Sequence, residues 1–190
     1  MSLTPYIVLD SEVARLPVSR SDWAHPEKLG LACAVAWIKR DDGTSEYLLC
    51  RGALLDQLPT LINSVRFVAG WNHVSFDYRV MAGLTPAITQ KHNVDLCRLC
   101  GNASLEEIGL ANFGWHKEVH SNNLPALWRM GECNAVMEQC RQHVEITRRI
   151  YDLALATGQV RAADGKVIRI PRSKLTGLPD LKARKEKRLW

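Results

Sequence analysis

Tyr6-Ile-Val-Leu-Asp10-Ser-Glu12 constrains the fold of this chain more than any other stretch. Apolar, partly β-branched residues behind Pro5 read as a buried strand. The run ends in two carboxylates spaced two apart, and in an extended backbone residues i and i+2 share a face. Asp10 and Glu12 therefore converge just past the apolar part of the strand. Two like charges held that close are costly unless a cation lies between them or one takes a proton. Hard ions such as Mg²⁺ are commonly held by one or two carboxylates together with water and substrate phosphate. A strand running into a solvated Asp-Ser-Glu turn accounts for the same segment, so the choice between the two rests on the remainder of the chain.

With 190 residues, 46% of them hydrophobic, the chain can bury one substantial core. Its apolar runs fall short of the roughly 18–20 residues that cross a bilayer. The N-terminus lacks the basic, apolar and cleavage segments of a signal peptide, so the expected location is the cytoplasm. There the six cysteines, Cys33, Cys50, Cys97, Cys100, Cys133 and Cys140, are expected to be reduced. Cys33 and Cys50 fall in strand-like runs and read as small core residues. The formal charge is +5, and it is concentrated at one end. Seven basic residues (Arg172, Lys174, Lys182, Arg184, Lys185, Lys187, Arg188) face only Asp180 and Glu186 in the last nineteen positions, a net of +5 in that segment alone. The body is near neutral, whereas the tail has the charge to engage a polyanion or an acidic protein partner. A solvated terminus is the plain alternative.

Residues 31–38 form a second apolar run, Asp41-Asp-Gly43 marks a turn, and 46–50 reads as a third strand, giving an antiparallel hairpin. Leu54, Leu55, Leu58, Leu61 and Ile62 recur at helical spacing despite Pro59. Residues 66–70 read as a fourth strand, 74–81 as a helix ending at Gly83, and 93–96 as a fifth strand. Ser104-Leu-Glu-Glu107 is a capping box ahead of another helix. The longest helical pattern covers 132–156, and 160–170, with Asp164-Gly165 at its centre, reads as a terminal hairpin. The segment 13–28 reads as a loop beside the acidic pair. Three antiparallel strands followed by alternating strands and helices predict an α/β fold, a mixed sheet flanked by helices. A division at residue 158 is expected, with 159–190 as a hairpin and basic extension.

Val68-Ala-Gly-Trp-Asn-His-Val-Ser-Phe-Asp-Tyr-Arg-Val-Met81 is the most specific segment. A strand ends, Asn72 follows the turn, and Phe76-Asp77 opens a helix. This order resembles the second motif of DEDD-type 3′–5′ exonucleases, members of the ribonuclease H-like superfamily. Asp10-Ser-Glu12 is similar to the first motif of that family. Cys140-Arg-Gln-His-Val-Glu-Ile-Thr-Arg-Arg-Ile-Tyr151 is similar to the third, with Ala126-Leu-Trp-Arg-Met-Gly-Glu132 resembling the run before it. The resemblance spans 5–156 and implies a ribonuclease H-like five-stranded sheet.

By this resemblance the activity is hydrolysis of a nucleic-acid strand from its 3′ end by two divalent ions, Mg²⁺ or Mn²⁺. Asp10, Glu12 and Asp77 would be ligands, and Asn72 and Phe76 would face the substrate. The chain departs from the family at its third motif. His143 stands where the family has a metal-binding Asp. Gln139 stands where one branch has Tyr, and Glu138 where the other has His. His143 as a neutral imidazole ligand would suit Mn²⁺ or Zn²⁺ better than Mg²⁺, and a general base would have to be His143 or His73. The competing expectation is a relative of low or no activity that binds nucleic acid or a protein partner.

Cys97-x₂-Cys100 and His116-x₃-His120, fifteen residues apart, fit a structural zinc spacing, with Cys133, Cys140 and His143 as further donors. Unligated thiols at a strand end are the alternative. Trp23, Trp71, Trp115 and Trp128 are expected to pack, with Trp115 also placed to line a groove. Lys182, Arg184 and Lys185 are expected to grip a phosphate backbone in a salt-dependent way.

Overall fold

The computed structural model describes residues 5–82, 88 and 92–176. The acidic strand, β1 (Tyr6–Val13), lies at the centre of a five-stranded sheet. Beside it run β2 (Leu31–Lys39), antiparallel, and β4 (Phe67–Gly70), parallel. β3 (Ser45–Cys50) and β5 (Asn93–Asp95) are the edges, giving the order β3-β2-β1-β4-β5. β1 outruns its parallel neighbour. The last β1–β4 pair is Leu9 with Gly70, whereas pairing with β2 continues through Asp10–Val35 and Glu12–Cys33. The two acids thus stand beyond the carboxyl end of β4, where the sheet opens.

Period-two alternation divides β1 between two cores. Val8 points to the face shared with Val35, Phe67, Ala69 and Val94. That face is covered by α5 (Leu105–Phe113) and by the long helix α7 (Cys133–Thr157). Ile7 and Leu9 point to the opposite face, with Ala34, Ala36, Ile38 and Val68. There they meet Leu58 and Ile62 of α2 (Leu58–Ser64) and Met81 of α3 (Asp77–Ala82). Each such aliphatic side chain, once fully buried, contributes about 1.5–3 kcal/mol. On α7 the buried positions Val136, Cys140, Val144, Thr147, Tyr151 and Ala154 recur every three or four residues, with Gln139 and His143 on the same stripe. The amphipathic pattern therefore delivers two polar side chains to the acidic end of β1. Gly158, with φ 73°, ends α7 in the left-handed region that favours glycine.

Several boundaries differ from the sequence expectation. The polar segment after β1 contains α1 (Arg20–Ala24), started by a reciprocal Ser19–Asp22 capping box. The helix expected from Leu54 is divided, a 3₁₀ turn over Gly52–Gln57 followed by α2, because Pro59 fits only the first turn of an α-helix. The helix expected over 74–81 starts at Asp77, since Asn72 takes a left-handed φ of 61° and turns the chain first. Leu96 belongs not to β5 but to the short α4 (Leu96–Leu99), capped by Asp95. Pro125 begins α6 (Leu124–Arg129), which precedes α7. After α7, β6 (Gln159–Arg161) and β7 (Val167–Arg169) pair around Asp164-Gly165, and α8 (Arg172–Thr176) follows. Val160, Ile170 and Leu175 are buried in the same core as α7. Among the described residues no helix is long and apolar enough to cross a membrane. Gly83 and the tail residues Lys182, Arg184 and Lys185 lie outside the described residues.

Candidate active site

A cleft of about 500 Å³ opens at the carboxyl end of β1 and β4. Asp10, Glu12, Asp77 and His143 all line it, together with Asn72 and Phe76. Strand alternation sends Asp10 and Glu12 to the α7 face and Ser11 to the α3 face. Asp77, at the first position of α3, receives a 2.6 Å hydrogen bond from the Ser11 hydroxyl. The three acids therefore approach the cleft from both sides of β1. Burial, with the charge of Asp10 next, holds the Asp77 carboxyl well above its ordinary range, and Ser11 opposes that rise.

His143 faces the other two acids. Its Nδ1 lies 3.3 Å from Asp10 Oδ2 and 3.2 Å from Glu12 Oε1. Burial pushes the Glu12 carboxyl up, the hydrogen bond with His143 pulls it back, and the charge of Asp10 adds to the rise. For the imidazole, burial disfavours the charged form, and hydrogen bonds and charge from Asp10 and Glu12 outweigh burial, pushing it up to about 9. Gln139 lies against the other ring nitrogen. Its Oε1 accepts the Val119 backbone N–H at 3.2 Å, so its amide nitrogen faces His143 Nε2 at 3.2 Å.

Among the described residues, one group of potential metal donors has its ligand atoms within 4.8 Å of one another: Asp10, Glu12 and Cys140. Cys140 is fully buried, and burial first, then the neighbouring Cys33 thiol, pushes its own thiol well up. It donates at 3.4 Å to both the backbone oxygen and Oδ2 of Asp10. A protonated sulfur of this kind braces Asp10 rather than offering a thiolate. The donor set at β1 is thus two carboxylates, which fits one hard, oxygen-seeking ion. The clustered negative charge, with Asp77 across the cleft, is the situation such an ion relieves.

The zinc spacing does not assemble. Cys97, Cys100, His116 and His120 form no such donor group among the described residues. The Cys97 thiol turns to the Ala103 carbonyl at 3.7 Å, Cys100 is buried, and His116 is exposed. His120 accepts the Asn122 N–H on its Nδ1. Sequence spacing carries no information on whether two turns fold toward each other, and here they do not. His73 is fully buried, with Nε2 3.1 Å from Asn93 Oδ1, and is not among the residues lining the cleft.

Asn72 is held by its own N–H, which donates to Asp95 Oδ1 at 3.0 Å. Phe76 and Trp23 stand with ring centroids 5.8 Å apart. Trp23 is 57% exposed, so the packing role expected of it is incomplete, and it and Trp71 line the cleft. Trp115 meets His143 edge-on at 6.0 Å. Sequence reasoning passed over Ser11 and Lys117 as site residues and weighed Cys140 only as a zinc donor. Lys117 lines the cleft, with Nζ 2.9 Å from Ser121 Oγ. Ser11 had a local signal in its place between the two acids, whereas Lys117, in an irregular loop, had none.

No protein-family model matches the chain, and no curated protein matches it. Among solved structures, the family B DNA polymerase from the hyperthermophilic archaeon Pyrobaculum calidifontis is similar, with a TM-score of 0.60 at 11% identity. The likeness covers 80% of this chain and 25% of the polymerase chain, so the chain spans about a quarter of that protein's length. At such identity the likeness concerns the fold alone, and with the observed strand order it gives this chain a ribonuclease H-like α/β fold, a five-stranded mixed sheet flanked by helices.

Proposed function

We propose that the cleft is a metal-dependent 3′–5′ exonuclease site that takes the end of a nucleic-acid strand. The observation that carries this reading is the meeting of Asp10, Glu12 and Asp77, from segments far apart in sequence, in one cleft at the open end of the sheet. Its volume of about 500 Å³ suits a terminal nucleotide. Asp10 and Glu12, with Asp77 opposite, would hold Mg²⁺ or Mn²⁺, which when bound supplies a water activated for attack and screening of phosphate charge. Lys117 is placed to pair with a phosphate oxygen. Phe76, Trp23 and Trp71 offer ring faces to the bases, where stacking contributes about 1–3 kcal/mol per base. The left-handed turn at Asn72 presents its side chain at the rim. The basic tail with Lys182, Arg184 and Lys185 would follow the phosphate backbone.

A second reading is favoured by one specific contact. His143 places an N–H against both β1 carboxylates, which supports a protein that binds nucleic acid, or a protein partner through its tail, without hydrolysing it. One assay separates the two. Single- and double-stranded DNA and RNA, labelled at the 5′ end, are incubated with Mg²⁺ or Mn²⁺ and the native chain or Asp10→Ala. The expected result is stepwise shortening from the 3′ end that falls roughly 10²-fold or more in the variant. Salt-sensitive binding with no shortening by the native chain overturns the nuclease reading in favour of the second.

A further inference from the structure

Among the described residues, Lys117 is the one lysine or arginine that lines the cleft, against three carboxylates. It sits on a strap of chain between α5 and α6 in which burial alternates strictly. Trp115, Lys117 and Val119 are half-buried, whereas His116, Glu118 and His120 are exposed. A repeat of two turns alternate side chains to one side, so Lys117 has an inward neighbour before it and another after it. Both are pinned. Trp115 lies flush on α5, where a Cβ at Gly109 would stand 2.8 Å from its Cε3 and 3.1 Å from Ile146 Cγ1 on α7. The Trp115 N–H donates to the Gly109 carbonyl at 3.4 Å. Val119 packs on the same core, and its N–H donates to Oε1 of the buried Gln139 at 3.2 Å. Between them, the Lys117 N–H donates to Glu106 Oε1 at 3.4 Å. The Lys117 ammonium gives one proton to Ser121 Oγ at 2.9 Å, and it carries three.

We propose that Trp115, seated on Gly109, is a positioning residue that aims Lys117 at a phosphate of the nucleic-acid strand in the cleft. Trp115 does not itself line the cleft, so it offers the strand no ring face and acts through Lys117 alone. The aim matters because the other charged side chains there are acidic. A lysine that swings out of the cleft leaves a site that repels a polyanion. The proposal rests on the reading that the cleft takes a nucleic-acid strand, and not on hydrolysis or on a bound metal.

The test reads binding of a fluorescein-labelled single-stranded oligonucleotide to the full chain by anisotropy, in chelator, over a range of salt. Lys117→Gln removes one charge and is expected to flatten the slope of log affinity against log salt by about 0.7, the loss of one phosphate contact on a single strand. Trp115→Ala alters no charge, yet it is expected to flatten the slope by the same amount. So is Gly109→Ala, whose methyl group takes the seat of the ring while raising the helix propensity of α5, which keeps the test open if Trp115→Ala unfolds. Trp115→Phe keeps a ring on Gly109 and is expected to restore the native slope. Added to Lys117→Gln, neither Trp115→Ala nor Gly109→Ala should flatten it further. Weaker binding at the native slope in Trp115→Ala and Gly109→Ala is what a purely structural role predicts, and it overturns the positioning role. A native slope in Lys117→Gln overturns the phosphate contact. Failure of the underlying reading looks different: a native chain that binds no strand, in chelator or with Ca²⁺, overturns both together.

Discussion

At position 143 an imidazole faces the two β1 carboxylates, and its surroundings are built to suit it. Asp10 and Glu12 accept from one ring nitrogen, and Gln139 satisfies the other. Replacing the ring by an acid reverses the local electrostatics. His143→Asp removes the donor and adds a third buried negative charge beside Asp10 and Glu12. In metal-free buffer this variant is expected to lose about 3 kcal/mol of stability, the scale for breaking a buried ion-pair arrangement. A ligand that binds only the folded state stabilises it in proportion to its concentration, so added Mn²⁺ should raise the melting temperature of His143→Asp more than that of the native chain. Thermal melts with and without the ion check both halves, and equal stability of the two proteins in chelator would refute the account of His143 as a structural donor. The acids themselves were legible in sequence, since spacing by two on a strand places them on one face. The contact of Gln139 with His143 was not, because Gln139 is fixed by a backbone N–H twenty residues away in sequence.

Among the elements, the turn from β4 into α3 decides where Asp77 stands. Gly70 closes the last β1–β4 pair, and Asn72, with its φ of 61°, turns the chain toward α3. A Cβ at Gly70 would lie 2.8 Å from the His73 ring. That ring cannot readily give way, because it is fully buried and bound to Asn93. Gly70→Ala is therefore expected to cost about 1–3 kcal/mol, as overpacking does elsewhere, and to displace the Asn72–Asp77 segment. Urea denaturation gives the stability, and a wild-type midpoint would show that His73 yields more easily than its contacts imply. The sequence pattern located this turn but started the helix three residues early. Apolar periodicity marks the residues that will face a core and is silent on a left-handed residue that delays the first helical turn.

For the molecule as a whole, all four tyrosines are tied into the packing. Burial is the main cause that raises each of Tyr6, Tyr78 and Tyr151 beyond the usual phenol range. Tyr47 is pushed up to about 12, by burial and then by its hydrogen bond to Glu145 on α7. The unfolded chain sheds these protons near the ordinary value of about 10, while the folded chain keeps them. Stability is therefore unaffected by these groups at neutral pH and falls as pH rises through about 10 toward the folded values. Spectrophotometric titration should show no phenolate transition near 10 while the fold persists. A normal transition there would mean that at least one ring is far less enclosed. At the same scale, the charge gathered beyond residue 171 should govern binding to nucleic acid. Replacing Lys182, Arg184 and Lys185 by alanine is expected to flatten the salt dependence of binding by about one unit of slope per lost phosphate contact. An unchanged slope would remove the tail from the interface.

The order of strands and long helices, the α/β class and the shared face of Asp10 and Glu12 followed from the sequence, because each depends on local periodicity or on the two-residue repeat of a strand. Capping at Ser104 and the turn at Asp164-Gly165 were legible for the same reason. Tertiary structure alone decided the rest. It set Ser11 against Asp77 across sixty-six residues and His143 against Asp10 across one hundred and thirty-three, and it kept the four zinc-spaced donors apart. Such contacts depend on which helix covers which face of the sheet. A linear pattern can name the side chains that reach a cleft, but only their packed neighbours determine which atom each presents there and whether it donates a proton or accepts one.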